Sequence, residues 1–129
     1  MPSLALAEAS SVKCCFYIKN HPQLRKLEVN GAWISSKTLK KIAGLRHLQE
    51  LKLVQVDNSD VRLLQPLSDL KRLELGGNWQ HFEALKNFED LESFAIEGGE
   101  PSLPKEEIYK LLHSLPENLH ELQIIGMPT

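Results

Sequence analysis

The sequence predicts an α/β fold of about five strand–helix units laid side by side. Their strands would form a curved parallel sheet on the concave side, with the helices on the convex side. Three observations lead there. Leucine fills 23 of the 129 positions, whereas Phe, Trp and Tyr together fill only 8. One leucine pattern recurs five times along the chain. The stretches between its copies carry helical spacing and helix-terminating residues.

The pattern is LxxLxL, with Val, Ile or Phe allowed. It opens LRKLEVNGAWI at Leu24, LQELKLVQVDN at Leu48, LKRLELGGNWQ at Leu70, LESFAIEGGEP at Leu91 and LHELQIIGMPT at Leu119. The copies start 24, 22, 21 and 28 residues apart, and Leu45, Leu67 and Phe88 each stand three residues before a start. Alternating apolar pairs such as Leu51 and Leu53 have the two-residue period of a strand buried on one face. Repeats of 20 to 30 residues are too short to bury their own apolar face, so each unit must stack on its neighbours.

Four intervening segments read as helices. SSKTLKKIAG has Ser35 or Ser36 as N-cap, Leu39 and Ile42 on one side and Gly44 at its end. NSDVRLLQ has Asn58 or Ser59 as cap, and HFEALKNF spaces Phe82 and Leu85 three apart. PKEEIYKLLHSL starts with Pro104 and acidic residues, with Ile108, Leu111 and Leu112 facing inward. This longer helix accounts for the last spacing. Residues 1–19 read as an N-terminal segment with a helix, KCCFYIKN, leading into the first strand. Residues 20–129 read as the repeat domain, one folding unit with that helix.

Composition excludes several classes of function. Fifteen basic and 17 acidic residues give a net charge of −2, without the cationic field that nucleic acid or anionic lipid demands. The two cysteines, Cys14 and Cys15, are adjacent and cannot pair without strain, so a reducing compartment is expected. No signal peptide and no run of 18 apolar residues is present, which predicts an intracellular protein of the cytoplasm or nucleus, away from membranes. The five histidines share no ligand spacing. No nucleophile elbow, catalytic carboxylate pair or dinucleotide fingerprint occurs. The chain is therefore read as a non-enzyme with no catalytic residues, cofactor or metal.

The repeat LxxLxL, extended upstream in LRHLQELKL and LSDLKRLEL and joined to IKNHPQLRKLEV, resembles the leucine-rich repeat family. It is most similar to the F-box and ribonuclease-inhibitor-like leucine-rich repeat proteins, over residues 20–129. The resemblance implies a leucine-rich repeat solenoid and a protein-binding role, in the setting of substrate recognition by an F-box-type ubiquitin ligase adaptor. A structural assembly factor within a larger complex is the alternative. The family's ninth-position Asn occurs once, as Asn78, with Ala32, Val56, Gly99 and Met127 in the other copies.

The candidate protein-binding residues follow from the register. Glu50 and Arg72 at position 3, Glu28, Lys52 and Glu74 at position 5, and Val54 and Glu97 at position 7 should face out of the sheet. Their charges alternate in sign, which suits either a self-satisfied solvated surface or a mixed-charge recognition patch. Trp33 and Trp79 both fall at position 10, just past a strand. They are expected on one rim about 10 Å apart, two strand spacings, where tryptophan is a frequent binding anchor. Folding back into the core is the other option for each. Both ends look unfinished, so another chain or further repeats should cover them.

Overall fold

A computed structural model describes residues 3–7, 23–30, 36–98 and 105–125. The elements are β1 (Ser3–Ala7), β2 (Lys26–Asn30), α1 (Ser36–Ala43), β3 (Glu50–Asp60), a 3-10 segment (Val61–Leu64), β4 (Arg72–Gln80), a second 3-10 segment (Phe82–Asn87), β5 (Ser93–Gly98), α2 (Lys105–Leu112) and β6 (Glu121–Ile125). The six strands form one open sheet in chain order, and every pairing is parallel. This is the α/β parallel sheet that the repeat predicts.

Register follows the repeat alignment residue by residue. Leu27, Leu51, Leu73, Phe94 and Leu122 form one cross-strand row, and Val29, Leu53, Leu75, Ile96 and Ile124 the next. These side chains alternate with polar ones, so both rows lie on one face. They are fully buried as far as β5 and only partly buried on β6. Leu24, Leu48, Leu70 and Leu91, with Leu45, Leu67 and Phe88, complete the core in front of the strands. Backbone bonds repeat with the same period. The amide of Gln49 donates to the Arg25 carbonyl, Lys71 to Gln49, Glu92 to Lys71 and His120 to Glu92, all within 2.7–2.8 Å.

The connecting segments cover the apolar face. In α1, Thr38, Leu39, Ile42 and Ala43 are buried while Lys37, Lys40 and Lys41 are exposed, the stripe that a 3.6-residue period produces. The next two connections are tighter than α-helix. A 3-10 helix has three residues per turn, which puts residues three apart on one side. Val61 with Leu64, and Phe82 with Leu85, are buried in that way. The N-cap is Asp60, not the Asn58 or Ser59 that the sequence suggests. The strand runs on to Asp60, whose carboxylate accepts from the Arg62 amide at 2.8 Å.

Two further expectations change. Residues 1–19 supply a strand, β1, whose Leu4 and Leu6 pair in register with Leu27 and Val29. The proposed leading helix, with Cys14 and Cys15, lies outside the described residues. On α2, Leu111 is buried and Ile108 partly so, but Leu112 is 45% exposed and Tyr109 62%. Packed against α2 is the second 3-10 segment of the preceding unit. The outer flank of the last described helix therefore keeps Leu112 in solvent.

Candidate protein-binding face

The side of the sheet opposite the core carries the polar positions of each strand. Lys26, Glu50, Arg72, Ser93 and Glu121 form one cross-strand row, and Glu28, Lys52, Glu74, Ala95 and Gln123 the next. Asn30 pairs with Val54, and Glu97 lies between Gly76 and Ile125. The structure thus brings Glu28, Glu50, Lys52, Val54, Arg72, Glu74 and Glu97 together on one face, each half-buried or exposed.

Opposite charges on this face meet. Lys52 Nζ lies 3.5 Å from Glu74 Oε2, Arg72 Nε 3.7 Å from Glu50 Oε1, and Lys26 Nζ 3.9 Å from Glu28 Oε1. Exposed pairs of this kind contribute roughly 0.2–1 kcal/mol each and are screened by salt. They hold long side chains in a fixed pattern across β2–β4. A shallow depression lies among Lys26, Glu28, Glu50, Lys52, Arg72 and Glu74. A partner that docks there must exchange these pairs for its own charges. Such exchange governs register and association rate more than affinity.

Trp79 is not on this surface or on its rim. It is 1% exposed, and its indole Nε1 donates to the Gly76 carbonyl at 3.1 Å. The expectation of an outward indole placed Trp79 beyond the end of the strand. Instead β4 runs on to Gln80 and advances two residues at a time from Leu73 through Leu75 and Gly77 to Trp79, so continued alternation keeps the indole on the core side. The two register shifts, between Leu53 and Val56 and between Val56 and Ser59, add their extra residues to β3. Gly77, at φ +105°, lies in the irregular stretch. Trp33 lies outside the described residues.

A second polar group, which no sequence motif announced, sits where β3 and β4 end. Arg62 grips Asp60 through Nη2 to Oδ2 at 2.7 Å and Nε to both carboxylate oxygens at 3.0–3.1 Å. His81 Nε2 approaches Asp60 Oδ2 at 4.0 Å, and its Nδ1 meets Glu83 Oε1 at 2.9 Å. His81 adopts left-handed backbone at φ 62°, a conformation in which histidine is enriched among non-glycine residues. The pairings Ser59↔Trp79 and Asp60↔Gln80 bring it to Asp60. A sequence scan sees Asp60 and His81 only as residues 21 apart.

The electrostatics of this group are legible in its carboxylates. Burial works against ionisation of Asp60, but hydrogen bonds from Arg62 outweigh it and hold the carboxyl below its ordinary value of 3.8. The hydrogen bond with His81 likewise keeps Glu83 below its ordinary value. A depressed folded pKa stabilises the native state above the unfolded value and stops doing so as pH falls through the folded one. Asp60→Asn removes the charge and leaves a good cap. Its melting temperature should lie below wild type at neutral pH, and the two should converge below about pH 4. A gap that persists in strong acid would mean that the Asp60 charge is not what separates them.

Among the described residues, no group of three or more His, Cys, Asp or Glu side chains is arranged to hold a metal ion. Among them, too, no helix is long and apolar enough to cross a membrane. No protein-family model matches the sequence, and comparison with curated proteins gives no match.

Proposed function

We propose that this chain is a non-enzymatic leucine-rich repeat solenoid that binds another protein through the open face of its sheet. One observation carries the reading. Neighbouring strands present in-register rows of charged side chains on a face that none of the described helices covers, while the opposite face holds the core. A surface built from parallel rows can be varied at each position without touching the core, which suits recognition. Lys52, Arg72, Glu50 and Glu74 are its centre, flanked by Glu28, Val54 and Glu97. By family resemblance the setting is substrate recognition in an F-box-type ubiquitin ligase adaptor, in the cytoplasm or nucleus. No cofactor, nucleic acid or membrane enters the reading.

A second reading, a structural subunit of a larger assembly, is favoured by Tyr109, Leu112 and Ile125, exposed on the last helix and strand. Affinity purification with mass spectrometry separates the two. Lys52→Glu with Arg72→Glu reverses the centre of the open face, and Lys40→Glu with Lys41→Glu reverses the exposed side of α1. The first pair should reduce recovery of the partner by about tenfold, the scale of lost charge complementarity, and the second should leave it near wild type. Equal recovery with both pairs would sink the open-face reading. Loss with Leu112→Glu alone would favour the assembly subunit.

A further inference from the structure

We propose that copies of this chain associate head to tail, with β6 of one pairing in parallel with β1 of the next. The two outer strands of the described sheet are unequal in charge setting and alike in apolar pattern. Residues 1–72 contain 12 Lys or Arg and 6 Asp or Glu, and residues 73–129 contain 3 and 11. The first part therefore carries a formal charge of +6 and the second −8. The described residues alone keep this asymmetry, with 10 Lys or Arg and 5 Asp or Glu up to residue 72 and 3 and 10 from residue 73 on. Because the strands lie in chain order, the half of the sheet that holds β1–β3 is cationic and the half that holds β4–β6 is anionic.

The open face shows the same gradient. Across β2–β4 every charged residue of the first two rows has an opposite charge within 4.0 Å. Across β5 and β6 those rows hold Ser93, Ala95, Glu121 and Gln123, with Glu97 beyond them and no cation. Among the described residues Glu121 accepts only from Ser93 Oγ, at 3.3 Å, and Glu97 has no ion-pair partner.

The apolar rows specify what would fit beside β6. Leu122 and Ile124 occupy the positions that are fully buried in the inner strands, yet they are only partly buried. A strand that continues the described sheet there is parallel and places two apolar residues, two apart, on the core side. β1 carries that pattern in Leu4 and Leu6, at the register positions of Leu27 and Val29. In the same register Glu121, Gln123 and Ile125 would meet Ser3, Ala5 and Ala7, which are uncharged and small.

Charge then selects among the three possible edge pairings. Joining β6 to β6 brings two anionic halves together, and joining β1 to β1 brings two cationic halves together. Only β6 to β1 joins opposite signs. That contact is heterologous, so it continues by adding further copies instead of closing at two.

Sedimentation velocity on the purified chain over a range of concentrations tests this. At about 0.02 M salt the mean mass should rise with concentration beyond that of two chains, and at about 0.5 M salt association should weaken by about tenfold or more. Glu97→Lys with Glu121→Lys, and separately Arg25→Glu with Lys26→Glu, should each abolish it. An equimolar mixture of the two should restore it, because their ends are complementary again. Circular dichroism checks that each variant is folded. A wild-type mass that stays at one chain throughout overturns the proposal. So does association that stops at two chains or does not respond to salt.

Discussion

Trp79→Ala should cost about 3–5 kcal/mol of stability, the range for deleting a large buried aromatic side chain. Domains of this size are stable by only 5–15 kcal/mol, so the variant should be close to unfolding at physiological temperature. The loss has two sources. The indole is buried to 1% exposure, so its removal leaves a cavity in the core where β3 and β4 pair near their ends. The Gly76 carbonyl also loses the donor that reaches it at 3.1 Å. Trp79→Phe separates the two, since it keeps most of the apolar volume and removes only the donor. It should cost about 1–2 kcal/mol, the scale of one buried hydrogen bond with a small packing defect. Urea denaturation followed by circular dichroism gives both values. An alanine variant within 1 kcal/mol of wild type would mean that the indole is not part of the core.

Gly77→Ala should be comparably damaging for a different reason. The residue sits at φ +105°, where an L side chain is strained. A Cβ there would also run into the backbone of Val56, its carbonyl oxygen, nitrogen and carbonyl carbon. Backbone on the adjoining strand cannot swing aside as a side chain can, so β3 and β4 would have to part. The expected loss is at least about 3 kcal/mol, strain and lost pairing together. Gly76→Ala is the control. Its Cβ would approach Val54 at 3.2–3.4 Å, partly against side chain, and should cost about 1–2 kcal/mol. Equal midpoints for the two variants would remove the special role of Gly77.

Most of the fold was legible because its determinants are periodic and local. Aligning the leucines predicts the pairing of Leu27 with Leu51, Leu73, Phe94 and Leu122, since parallel register in a stacked repeat is the repeat alignment itself. β1 was legible in principle and missed in practice. In the paired register Ser3–Leu6 aligns with Lys26–Val29, and the sequence two residues before Ser3 has Met where the other copies have their first leucine. A pattern search keyed to leucine passes over it. The inward direction of Trp79 follows from parity, six residues beyond Leu73 and four beyond Leu75, but only once β4 is known to run on to Gln80, and the leucine pattern does not fix that strand end.

The candidate face was readable for the same reason as the core, since alternation holds where the strands are regular. Glu28, Glu50, Lys52, Arg72 and Glu74 all lie in the regular part. The Asp60–Arg62–His81–Glu83 group depends on where two strands end, and sequence spacing does not fix that. The uneven charge of the two parts of the chain was present in the sequence from the start. It acquires meaning only with the strand order, because in most folds the two parts would interleave and the field would cancel.

That strand order also governs how the molecule would bear load. In a sheet whose strands follow chain order, neither β1 nor β6 is clamped between two other described strands. Tension applied through β1 and β6 meets one outer strand at a time and peels it from its single described neighbour. Each detached unit would release some 21–28 residues of slack, roughly 70–95 Å at 3.4 Å per extended residue. Such a chain gives way in a series of modest steps, as a spring lengthens, and stores no single large rupture force.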